Sequence, residues 1–139
     1  MTKAESELHR VIRAKLSQRP DVCAEVTQQL WQSLAAQLVL IIGDAGFKSL
    51  LHRSLHLCGE QFPWLLPVNT SLQRDAVFLE LSTRLAAQDV LQSMEASIRL
   101  LQLFIDILTV LIGDSLTTGI VRSAWGDDAF DLAATEFKK

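Results

Sequence analysis

Leu38-Val39-Leu40-Ile41-Ile42-Gly43-Asp44 and Leu108-Thr109-Val110-Leu111-Ile112-Gly113-Asp114 lie seventy residues apart in a chain of 139. Each is an apolar helical run that ends in Gly-Asp. Glycine is a common residue just beyond a helix, and aspartate a common one at the start of the next. The pair therefore predicts a stop followed by a start, with a break or sharp kink at both places.

The resemblance extends on both sides of this stretch. Without gaps, residues 24–44 over 94–114 match Glu25 with Glu95, Leu30 with Leu100, Gln32 with Gln102, Leu38 with Leu108 and Ile42 with Ile112. Beyond the Gly-Asp, a one-residue gap sets Arg53-Ser54 on Arg122-Ser123, and a gap widened to three residues sets Gly59 on Gly126. Leu-rich helices align easily, so the weight rests on the matched Glu, Gln, Gly, Asp and Arg-Ser. The expected fold is a single all-α domain over 1–139, a bundle of six to seven helices. It is built from two duplicated three-helix halves, 1–69 and 70–139, whose long central helices face each other across a pseudo-two-fold axis.

Local signals place the helices. Thr2 with Glu5 forms a capping box before Leu8, Val11, Ile12 and Leu16, predicting a helix over about 3–17, stopped at Arg19-Pro20. Asp21 caps a second helix over about 22–42, with Trp31, Leu34, Leu38 and Ile41 as its stripe. A third should end near Cys58-Gly59. The segment Phe62-Pro63-Trp64-Leu65-Leu66-Pro67 reads as an apolar connector covering one end of the bundle. Thr70 with Gln73 suggests a capping box for a helix to about Ala87, and Asp89 caps the strongest helix of the chain. Its seam is Leu91, Met94, Ile98, Leu101, Ile105, Leu108 and Ile112, with Leu100, Phe104, Ile107 and Leu111 beside it. A helix over about 115–125 follows, and the acidic tail could add a short one.

Composition narrows the class. Apolar residues make up 49% and charged ones 21%, which excludes intrinsic disorder. The net charge of −3 and scattered basic residues give no phosphate-tracking stripe, so nucleic acid is not an expected partner. Two cysteines at no motif spacing read as reduced thiols, and the N-terminus has no apolar signal segment. The apolar run 100–113 is too short to span a bilayer. A soluble cytoplasmic protein with no membrane span is expected.

Few residues suggest chemistry. His52 and His56 are one helical turn apart with Glu60 a turn further, a spacing that can share a metal; the ordinary reading is a solvated helix face. Asp106 is embedded in Leu103-Phe104-Ile105-Asp106-Ile107-Leu108. Such a carboxylate is either buried and paired or set on a polar edge with Gln102 and Thr109, and the latter is the expectation. Trp64 and Trp125 read as core lids or as a partner-binding patch. Asp44, Arg53, Asp114 and Arg122 form the repeated charged set, so an Asp–Arg pair is expected between halves or subunits. No nucleophile–base, zinc-protease or phosphate-loop motif is present, and neither a catalytic residue nor a cofactor is assigned. The expected function is a non-enzymatic interaction or regulatory module, homo-oligomeric and able to take a protein partner. The alternatives are a small-molecule-sensing bundle and, more weakly, a metal-dependent enzyme.

Overall fold

A computed structural model describes residues 7–17, 23–66, 68 and 73–126. They form α1 (Glu7–Ser17), α2 (Cys23–Gly59), a 3-10 turn (Pro63–Leu65), α3 (Arg74–Ala86), α4 (Val90–Ile112) and α5 (Asp114–Trp125), with no strand among them. The expected all-α class is thus observed. The capping box at Thr2, the cap at Asp21 and the helix in the tail fall outside the described residues.

The chain breaks where Gly-Asp asks it to. Gly43 has φ 80 and ψ 165, so α2 is two arms, 23–42 and 44–59, joined at a kink. Gly113 has φ 93 and ψ 158 and separates α4 from α5. This region of backbone space is essentially reserved for glycine, because a Cβ would crowd the flanking carbonyls. Asp89 caps α4 as expected, its side chain accepting from the Gln92 N–H at 2.8 Å. Gln73 differs. It stands at the N-cap of α3 with no side-chain cap bond, whereas a box with Thr70 would need it three residues inside the helix.

Long-range bonds fix how the helices run. His9 meets Asp106 and Ser17 meets Met94, so residue numbers rise along α1 as they fall along α4, and the two are antiparallel. The Trp125 indole N–H donates to the Leu30 carbonyl at 3.1 Å, tying the end of α5 to α2. Cys58 Sγ approaches the Ala96 carbonyl at 3.8 Å, tying the end of α2 to the first turns of α4. Arg84 on α3 donates to the carbonyls of Trp64 and Leu66 and pins the 3-10 turn. α1 packs chiefly on α4, and α3 chiefly on α2.

The centre is aromatic. Trp31 and Phe47 from the two arms of α2, Phe78 from α3 and Phe104 from α4 are all buried, the closest rings being Trp31 and Phe104 at 5.0 Å, edge to face. Burying each such ring removes a large apolar area from water, and edge-to-face contacts add roughly 0.5–1.5 kcal/mol per pair. The predicted seams hold in their middle and fail at their ends. Leu101, Ile105 and Leu108 are buried, but Leu91 is 71% exposed, Leu111 63% and Ile41 50%. Periodicity gives the buried face of a helix, not how far along it a neighbour reaches. By length and composition the stretch Ala24–Gly59 would suffice to cross a membrane. Here it bends at Gly43 and buries Trp31, Leu34, Leu38, Leu51 and Leu55 in the core.

Candidate functional site

The two Gly-Asp corners carry the most unusual surface. At the first, Leu40 is 85% and Ile41 50% exposed; at the second, Val110 is 86%, Leu111 63% and Leu116 49% exposed. Single exposed leucines are ordinary, but neighbouring ones repeated at two related places are not. Each pair sits in the last turn of a long helix, just before a glycine that turns the chain away. The remainder of that turn, Ile42 or Ile112, is half-buried against the core.

Asp44 flanks the first corner. It pairs with Lys48, one turn on, at 3.3 Å and with Arg74 Nε at 3.1 Å. An Asp–Arg pair between the two halves of the chain therefore exists, but its arginine is Arg74 at the start of α3, not Arg53 or Arg122. Helix geometry explains this. Arg53 lies nine residues beyond Asp44 and Arg122 eight beyond Asp114, roughly 12–14 Å along their helices at about 1.5 Å per residue. Asp114, Arg53 and Arg122 are exposed, and the structure does not bring the four side chains together.

The other sequence candidates are dispersed. His52 and His56 are exposed along the second arm of α2, and Glu60 is exposed in the turn just after it. Among the described residues, no group of three or more His, Cys, Asp or Glu is placed to hold a metal ion. Asp106 lies on the polar edge, its side chain 53% exposed, accepting from the His9 ring N–H at 2.7 Å. Trp125 is buried, 7% exposed, and is a core lid, not an accessible partner patch. Trp64 is half-buried, edge-on to Phe62 at 5.9 Å.

One feature escaped the sequence. Arg74 as the partner of Asp44 has no local signal, because the pair spans thirty residues and depends on where α3 docks. Cys58 agrees with its sequence reading as a reduced thiol packed in the core. It is 1% exposed, and burial pushes its thiol from 9.0 up to about 12, with the Arg99 guanidinium pulling the other way. A thiol so protonated and covered is a packing group, not a nucleophile. No protein-family model, curated protein or solved structure matches this chain.

Proposed function

We propose that the chain is a non-enzymatic helical interaction module, cytoplasmic, built on an internal duplication, and that it homodimerises through the apolar side chains at its Gly-Asp corners. The observation that carries this reading is the exposure of Leu40-Ile41 and of Val110-Leu111 at the same place relative to Gly43 and Gly113.

Burial supports the duplication. With a constant offset of seventy, residues 24–55 and 94–125 share their degree of exposure except at 26/96, 28/98, 32/102, 43/113, 46/116 and 54/124. The register runs straight through the Gly-Asp without the gap that the Arg-Ser repeat suggested. That gap would pair buried Ser54 with exposed Ser123, and its widening would pair Gly59 with Gly126, of which only the second has positive φ. Ungapped, buried Leu55 corresponds to buried Trp125. The packing of α1 on α4 and of α3 on α2 is also what a two-fold relation would give.

The two halves differ at most positions, yet positions 40/110 and 41/111 are exposed and apolar in both. Nothing inside a monomer favours that, since an exposed leucine gains little from folding. A second copy fits best. A two-fold interface presents the same patch from both subunits, and a chain with two related apolar corners can offer both to its twin. Asp114 beside the second apolar pair disfavours an anionic membrane surface.

Native mass spectrometry and light scattering of the wild type and of Leu40→Glu/Val110→Glu test the reading. The wild type should be a dimer and the variant a monomer with unchanged helical circular dichroism. A monomeric wild type at high micromolar concentration, or a variant that stays dimeric, overturns it.

A further inference from the structure

Where α1 crosses α4, the end of α2 closes a cleft that none of the sequence candidates enters. Midway between the His9–Asp106 and Ser17–Met94 contacts, Arg13 of α1 faces Arg99 and Gln102 of α4 across it, and the turn after α2 brings Gln61 and Phe62 to its side. That turn is held by Gln61 and Phe62 N–H groups donating to the Cys58 carbonyl, at 3.1 and 2.9 Å. The cleft has a volume of about 190 Å³. This is below the roughly 300 Å³ at which drug-sized ligands are usually held, so its occupant is small.

The lining is chemically sorted. Phe62 and Ile98, 4% and 7% exposed, supply an apolar floor, and the 6%-exposed Gln102 sets an amide beside it. Arg13 and Arg99 line it from different helices, each carrying a guanidinium. A carboxylate is the group that two planar cationic forks hold best, through charge-assisted paired hydrogen bonds. Glu95 also lines the cleft, one helical turn before Arg99. Glutamate and arginine at this spacing commonly pair. Here neither makes an ion pair among the described residues, so an anion and a cation stand side by side over an apolar floor.

We propose that this cleft binds a small apolar α-amino acid: its carboxylate on Arg13 and Arg99, its ammonium on Glu95, and its side chain on Phe62 and Ile98. A ligand carrying adjacent opposite charges and a short hydrocarbon tail matches the lining group for group. Simple anions such as phosphate leave the apolar floor and Glu95 unmatched, and the latter repels them.

Calorimetric titration of the full chain with L-leucine, isovalerate and inorganic phosphate tests this. L-Leucine should bind saturably with one site per chain, and phosphate should not. Arg99→Gln should weaken leucine about tenfold, as loss of a charge-assisted pair does. Glu95→Gln should weaken leucine but not the weaker isovalerate binding, because isovalerate has no ammonium and is itself repelled by the Glu95 carboxylate. Circular dichroism establishes that both variants remain folded. Absence of saturable leucine binding, isovalerate binding as tight as leucine, or indifference to Arg99→Gln or to Glu95→Gln overturns the proposal.

Discussion

Cys58 shows how one side chain ties packing to pH. Folding carries its thiol from 9.0 to about 12, chiefly by burial. The folded chain therefore keeps the proton over a range in which the unfolded chain releases it, so the contribution to stability is whole below about pH 9 and is lost as pH rises toward 12. Urea unfolding at about pH 8 and about pH 10.5 should show a steeper loss of stability for the wild type than for Cys58→Ala. Equal losses would remove the thiol from the account. At this scale the sequence was readable where a residue acts on its near neighbours, as Asp89 does on Gln92. It was silent where the partner is distant. Nothing local joins Asp44 to Arg74, His9 to Asp106, or Trp125 to the Leu30 carbonyl.

Glycines divide the elements. Gly43 and Gly113 have φ of +80 and +93 with nothing within 4 Å of where a Cβ would stand, so alanine there meets backbone strain and no clash. Each substitution should destabilise by about 1–3 kcal/mol. Gly119, six residues past Gly113 and inside α5, also faces open space but without positive φ. Alanine there should stabilise by about 0.5–1 kcal/mol through helix propensity. Denaturant melts of the three variants should give these opposite signs, and a uniform sign would refute the assignment of the corners. The break was legible because Gly-Asp is a chemical instruction to the backbone. The exposed ends of the seams, Leu91 and Leu111, were not, since a helix repeats its pattern whether or not a neighbour covers it. The Arg-Ser repeat misled for a related reason: it is a likeness of side chains that burial does not share.

On the scale of the whole molecule, the two reasons for apolar surface come apart. The aromatic centre of Trp31, Phe47, Phe78 and Phe104 belongs to folding, whereas Leu40, Ile41, Val110 and Leu111 are left outside it. If dimer formation covers these corners, mass action makes stability depend on concentration. The melting temperature of the wild type should then rise with protein concentration while that of Leu40→Glu/Val110→Glu stays constant; identical behaviour would argue against the corners as interface. Neither corners nor cleft could be ranked from sequence, because exposure and the meeting of α1, α4 and the turn after α2 exist only in the assembled fold. The crossing of α1 onto α4 has a further consequence for a chain that emerges from a ribosome N-terminus first. His9 and Ser17 are 97 and 77 residues ahead of their partners on α4, so at roughly 5–20 residues per second the apolar face of Leu8, Val11, Ile12 and Leu16 waits several seconds for shelter. During translation the apolar face of α1 is thus one that a chaperone could cover, although in the finished molecule Leu8, Val11, Ile12 and Leu16 are buried.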